Sequence, residues 1–330
     1  MKALVYTGPE QIDFRDEPRP SPADGEAVVK VEAVGICGSD MHAYLGHDER
    51  RPPPLILGHE ACGTVQDGGF AGKRVTLNPL VTCGTCEACR AGRTNLCSDR
   101  EIISMPPRQG AFAEYLRIPE RNLIELPGDM DPAIAALSEP VATAWHAVAV
   151  GERHSWRTPE TTRALVLGGG AVGLSAALVL RSRGYREICV AETNPLRRET
   201  AAWEKELTII DPAVEPVEEN GFDLVVDAVG GVETRRSASV AIKPGGVIVH
   251  IGLLEAEGGL DVRKMTLQEI TFVGTYTYTM ADFRDTVAAL DAGVLGELSW
   301  IEKRPLAEGA SAFRDLLEGR AGAAKIVLMP

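Results

Sequence analysis

Cys83, Cys86, Cys89 and Cys97 are spaced C-x2-C-x2-C-x7-C. Four thiolates delivered by one short loop suit a closed tetrahedral zinc that holds the loop in shape. The other chemistries open to such a run are a redox-active C-x2-C pair and an iron–sulfur cluster. The fourth cysteine, however, stands eight residues after the third and no Cys-Pro follows. That spacing fits a structural zinc better than a ferredoxin segment. The loop CGTCEACRAGRTNLC is too polar to build a core, so metal binding would supply its folding energy.

A second set lies upstream. Cys37 sits in GICGSDMH and His59 in LGHEACG, both in Gly-flanked segments with Ser39, Asp40, His42 and Glu60 close by. A lone cysteine or histidine is more often a packed residue than a ligand. So many polar groups buried together are costly unless a site uses them. A mixed Cys/His set that leaves a coordination position open suits a catalytic zinc. Glu139 is a charge inside the apolar helical run ALSEPVATAWHA. It reads either as a helix-start acid before Pro140 or as a third ligand.

The third set is G-x-G-x-x-G at Gly168, Gly170 and Gly173, with Ala171 and Val172 inside it. The first glycine permits a tight turn, the second a close approach to a pyrophosphate, and the third close helix–strand packing. The motif alone is weak, but here a strand-like run precedes it and a helix-like run follows. Glu192 ends the next strand-like run, EICVAE, 19 residues after Gly173. A carboxylate there accepts ribose hydroxyls and repels a 2′-phosphate, which predicts NAD over NADP. The competing reading of Glu192 is a solvated loop acid, and the neighbouring Arg197 and Arg198 blur the preference.

These sites need elements to hold them. The first ~140 residues are β-rich by pattern, with KALVY, EAVVKVEAVGIC, RVTLN and AEYLRIP as strand-type runs broken by Pro- and Gly-rich turns. From Asp131 the run DPAIAALSEPVATAWHAVAV has helical spacing. Between Arg163 and about Thr279, strand and helix alternate, which predicts an α/β unit with a doubly wound parallel sheet. The last ~50 residues do not clearly extend that sheet.

Bulk properties agree. A chain of 330 residues fits two domains. A net charge of −13 argues against nucleic acid as a partner. No apolar run approaches the ~20 residues that span a membrane, and the start lacks a signal-peptide layout. The expected compartment is the cytoplasm, where the seven cysteines stay reduced and read as ligands and packed thiols.

Taken together, GHE, the cysteine loop, G-x-G-x-x-G, DAVGG and VHIGL, in that order along the chain, resemble the zinc-containing medium-chain dehydrogenase/reductase family. Alcohol, sorbitol and threonine dehydrogenases belong to it. The resemblance implies a GroES-like β-rich catalytic domain over 1–143 and 280–330, with a structural zinc lobe at about 80–100. A Rossmann domain would occupy 144–279. It implies Cys37 and His59 as catalytic zinc ligands, with Glu139 at the position where liver-type alcohol dehydrogenases have a second cysteine. Glu60 resembles the acid that can swing toward zinc, and Asp40 the carboxylate that orients His59. Ser39 and His42 resemble a proton relay to solvent. Thr143, Val229, Ile251 and Gly252 join the glycines, Ala171, Val172, Glu192 and Arg197 as expected cofactor contacts. Cys62, Cys189, His47, His146, His154 and His250 are expected to be structural.

The expected reaction is reversible oxidation of a secondary alcohol or polyol to a ketone, with NAD as hydride acceptor. Hydride leaves an alkoxide far more readily than a neutral alcohol, which is the reason for a metal at the hydroxyl. The expected pocket (Ser39, His42, Tyr44, His47, Glu60, Glu139 and the segment from Pro107 to Phe112) is polar and suits a polyhydroxylated substrate. Threonine-, sugar- and cyclitol-type activities share these motifs. A non-catalytic NAD- and zinc-binding sensor would not need Ser39 and His42 beside Cys37. The family implies a homodimer or homotetramer, and edge strands such as ITFVGTY could pair between subunits.

Overall fold

The computed structural model describes all 330 residues. Its second half is built on a parallel six-stranded sheet. In spatial order the strands are Thr208–Ile210, Glu187–Ala191, Arg163–Leu167, Phe222–Asp227, Ile242–His250 and Thr271–Gly274. Helices cover both faces, so central strands are apolar almost throughout; every residue of Phe222–Asp227 is buried. The chain reverses direction across the sheet at Arg163–Leu167, whose neighbours are the second and fourth strands in sequence. The crevice beyond the carboxyl ends of these strands is where such sheets bind ligands.

The first half is antiparallel except for one parallel pair, Ile301–Pro305 with Lys325–Met329. Its seven-stranded sheet runs Leu123–Glu125, Arg74–Leu77, Glu60–Val65, Glu26–Gly35, Lys325–Met329 and Ile301–Pro305, with Tyr115–Pro119 paired to Glu26–Gly35 as well. The C-terminal strand thus returns to the first sheet, with Val327 opposite Gly35. This is why the last residues did not read as part of the parallel sheet. Glu60 opens the strand Glu60–Val65, directly after His59. Gly63 is needed in that strand, since a Cβ there would lie 2.0 Å from the Lys30 carbonyl oxygen.

Helix Ser138–His154 links the two halves, and helix Met280–Asp291 lies against it. Phe283 packs with Ala142 and Tyr278, Val287 with Ala133 and Ala136, and Leu290 in the core of the parallel sheet. His146 Nδ1 lies 2.9 Å from Asp282 Oδ2, which ties the two helices together. Burial acts to raise the Asp282 pKa, but hydrogen bonds from His146 and Thr279 outweigh it and bring it from 3.8 to about 2. A depressed carboxyl pKa stabilises the fold above the unfolded value and stops doing so as pH falls through the folded one. Asp282→Asn should therefore lower stability by about 2 kcal/mol at pH 7. Denaturant unfolding at a series of pH values should show the gap closing between pH about 4 and about 2.

Candidate active site

Cys37 caps the N-terminus of the short helix Gly38–Tyr44, and its N–H donates to Asp40 Oδ2 at 3.0 Å. Asp40 is fully buried; its Oδ1 accepts the Gly58 N–H at 3.1 Å and lies 3.5 Å from His59 Nδ1. The helix end, the Gly58 turn and the strand Glu60–Val65 thereby converge. Ligand atoms of Cys37, His59 and Glu60 all lie within 4.8 Å of one another. Burial opposes charge on His59, yet Asp40 and Cys37 hold its pKa well above the ordinary value.

Glu139 does not join that trio. It occupies the first turn of Ser138–His154, and its Oε1 accepts the Tyr278 hydroxyl at 3.0 Å. Burial, with the nearby Glu60 charge adding to it and His59 and Tyr278 acting against it, pushes its carboxyl up to about 7. The group gathered in space is thus Cys37–His59–Glu60, with Glu139 as a neighbour. Glu60 is held in turn by Lys325, whose Nζ lies 2.7 Å from both carboxylate oxygens and donates to the Ile36 carbonyl at 2.8 Å. Both members of the pair are buried. Gly35, opposite Glu60, leaves room for the carboxylate; a Cβ there would be 2.1 Å from Oε2.

Sequence reading missed both Lys325 and Tyr278. The one available signal for Lys325 was a charge opening the apolar strand KIVLM; Tyr278 carried none. Two pocket expectations also need correction. Tyr44 is buried, its ring 5.0 Å from that of Phe313, because it points from the opposite side of its helix into the core. Phe112 is buried against the same ring, and Pro107, Arg108, Gln109 and Gly110 line a different cleft of about 420 Å³. Ser39 and His42 are half-buried one helical turn apart on one face, and His47 is exposed.

In the cysteine loop, ligand atoms of Cys83, Cys86, Cys89 and Cys97 lie within 4.8 Å of one another. The Thr85 and Cys86 amides point at Cys83 Sγ at 3.4 and 3.3 Å and lower that thiol to about 6. Amide donors aimed at sulfur favour thiolate, which is the ligand form. Cys62 and Cys189, in contrast, are packed thiols raised by burial, Cys189 to about 11.

At the parallel sheet, Gly168 has φ +97°, and a Cβ there would lie 2.6 Å from Val229 Cγ2. Gly170 caps the helix Ala171–Ser182, which runs on through Val172. A Cβ on Gly173 would lie 1.9 Å from the Gly168 carbonyl oxygen. Gly173→Val should therefore displace the turn and raise the Kd for NAD at least about tenfold, readable by titration calorimetry. Gly252 packs on the Val229–Gly230 backbone, and Ile251 and Gly252 N–H donate to the Asp227 carbonyl. His250 Nε2 lies 3.6 Å from Asp227 Oδ2, and burial lowers the His250 pKa.

Glu192 Oε2 accepts the Gly169 N–H at 2.7 Å and Oε1 the Asn194 N–H at 2.7 Å, so the acid lines the glycine turn. Arg198 is committed to the Glu192 and Thr193 carbonyls and to Asp211. Arg197 lies by Gly170, with a buried Nε that has no partner. Thr143 donates weakly to the Glu139 carbonyl, 3.4 Å away.

A family model of the alcohol dehydrogenase GroES-like domain matches residues 23–128, and one of zinc-binding dehydrogenases matches residues 171–292. Over 336 residues the chain is 32% identical to L-galactonate-5-dehydrogenase of Escherichia coli (strain K12), spanning 97% of this chain and 96% of that one. The chain belongs to the zinc-containing medium-chain dehydrogenase/reductase family. Sorbitol dehydrogenase of Bacillus subtilis (strain 168) is 33% identical over 84% of this chain and 82% of its own. Among solved structures, a Sinorhizobium meliloti 1021 protein described as a zinc-binding dehydrogenase, bound to NADP, superposes with TM-score 0.88 at 28% identity. That match covers 100% of this chain and 99% of the other. Members of this family are oxidoreductases that use zinc and a nicotinamide dinucleotide. The donor sets here fit those groups: four clustered thiols, a thiol–imidazole–carboxylate trio whose imidazole and carboxylate are buried, and a glycine turn with no room for a side chain at Gly168 or Gly173.

Proposed function

We propose that this chain oxidises a secondary hydroxyl of a polyhydroxylated substrate to a ketone, reversibly, with NAD as hydride acceptor. The observation that carries the reading is the Cys37–His59–Glu60 trio beside Glu139, in which His59 and Glu60 are buried and Cys37 is half-buried. Helix Ser138–His154 connects that trio to the sheet, since its Gly151 packs on Leu224 and Val249. When bound, zinc supplies electrostatic stabilisation of negative charge on the substrate oxygen, and NAD takes the hydride.

The chain's own residues do the rest. Cys37, His59 and Glu60 would hold the catalytic zinc, with Glu139 available as a further oxygen donor. Asp40 fixes the His59 ring. Ser39 and His42, on one helix face and partly open to solvent, carry the released proton outward. Cys83, Cys86, Cys89 and Cys97 would hold the structural zinc. Glu192 favours NAD, because its carboxylate at the glycine turn repels a 2′-phosphate. Polar Ser39, His42, Glu60 and Glu139 favour a substrate with several hydroxyls, and relatives named for galactonate and sorbitol support this class.

The test is NADH formation over a panel of sugar acids, polyols, amino alcohols and cyclitols, with and without a zinc chelator. Turnover of one polyol class, lost on chelation and restored by zinc, is the expected result. Turnover with zinc fully removed would overturn it.

The assembly proposed is a homodimer joined along the Thr271–Gly274 edge of the parallel sheet, where Phe272 and Leu267 are exposed. Light scattering should return twice the chain mass, and Val273→Pro should reduce it to one. No helix is long and apolar enough to cross a membrane. All seven cysteines are free, which supports a reducing compartment such as the cytoplasm.

A further inference from the structure

The cysteine loop reaches outside its own fold. Asn95, in the single turn Thr94–Leu96, is buried although most of the loop is exposed. Its side-chain amide donates to the Tyr276 carbonyl at 2.8 Å, across 181 residues of sequence. Arg100, three residues past Cys97, donates from Nη1 to the Cys97 carbonyl at 2.8 Å. The same guanidinium lies 4.8 Å from the centre of the Tyr276 ring, and its Nε is 3.4 Å from the Tyr276 hydroxyl. The loop therefore grips both the backbone and the side chain of Tyr276.

What Tyr276 leads to gives the grip its consequence. Two residues on, Tyr278 is fully buried, stacked 5.1 Å from Phe283, and donates its hydroxyl to Glu139. Between the tyrosines, Thr277 has φ +46°, a left-handed conformation that strains a β-branched residue. Its hydroxyl is buried without a partner. Thr279 then caps helix Met280–Asp291 through Asp282. Such strain persists only where the surroundings over-determine the backbone. Here the surroundings are the cysteine loop at one end and the helix cap at the other.

We propose that Asn95 and Arg100 are positioning residues: through Tyr276 the cysteine loop fixes the Tyr276–Tyr278 segment and so aims the Tyr278 hydroxyl at Glu139. The metal-binding loop then serves the substrate site as well as its own folding. The catalytic half of this inference rests on the proposed function; the placement of the segment does not.

The test uses the full-length, zinc-loaded chain with Arg100→Met, Asn95→Asp and Arg100→Lys. Amide exchange in peptides covering residues 275–279 is read by mass spectrometry, beside zinc content, unfolding midpoint, and kcat and KM for polyol and for NAD. In Arg100→Met and Asn95→Asp, exchange over 275–279 should speed up about tenfold, the effect of one lost hydrogen bond or cation–ring contact. kcat/KM for the polyol should fall by a similar factor, with zinc content and the KM for NAD unchanged. Arg100→Lys, which keeps a cation over the ring, should recover most of both. Unchanged exchange over 275–279 in zinc-loaded Arg100→Met overturns the proposal, whatever the substrate. Faster exchange in a chain whose wild type turns over no alcohol supports the positioning role and sinks the functional reading alone.

Discussion

Cys37→Ser should cut turnover at least roughly a thousandfold, the loss of ~4 kcal/mol of transition-state stabilisation. The thiol lies within 4.8 Å of the His59 and Glu60 donor atoms, and its backbone N–H is already bound to Asp40. Serine keeps that backbone bond and the helix cap but removes the soft donor that holds zinc. Metal content should therefore fall from two zinc ions per chain to one, the four-cysteine loop keeping its own. The unfolding midpoint should move little. A Cys37→Ser protein that retains two zinc ions and a tenth of its turnover would refute the assignment of the trio.

Lys325→Met should be the most destabilising single change outside the cores. Lys325 and Glu60 are both buried, and removing one member of a buried ion pair leaves the other charge without compensation, at a cost of roughly 3–5 kcal/mol. Burial works against charge on Lys325, but Glu60 and then Cys37 hold its pKa above the ordinary value. The ammonium thus stays charged and fixes the carboxylate at the edge of the trio. The decisive comparison is the double variant Lys325→Met with Glu60→Gln. Because the two residues share one interaction, the double should lose clearly less stability than the sum of the singles. Its activity should stay low, since Gln is a poorer donor to zinc than a carboxylate. Denaturant midpoints for the four proteins measure the coupling, and simple additivity would show that the pair is not a unit.

Much of this site was legible before any coordinates. The spacing of Cys83, Cys86, Cys89 and Cys97 and the run from Gly168 to Gly173 are local, and local geometry needs only a turn to be realised. The same holds for Glu192, which directly follows the strand Glu187–Ala191 and accepts the Gly169 N–H of the glycine turn. Tyr44 misled because composition near a motif does not say which side of a short helix faces the cleft. Glu139 was read as a helix-start acid or a third ligand; it stands in the first turn of its helix beside the trio, and its Tyr278 partner could not be seen. Placing Glu60 in a strand also depended on its pairing with Gly35, a long-range fact.

The amino-acid sequence by itself determined the donor types, the cradle for the dinucleotide, the two architectures and the family. Each is written in spacings of a few residues or in a repeated period. Only the tertiary structure decided which charges neutralise one another and which side chains hold the donors in place. Lys325 meets Glu60 across 265 residues, Tyr278 meets Glu139 across 139, and Asn95 meets Tyr276 across 181. Those meetings follow from the return of the C-terminal strand to the first sheet and from two helices packing side by side. A pairing made by closing so long a loop leaves no periodicity in the chain, because its partners are selected by the packed core and not by their neighbours in sequence.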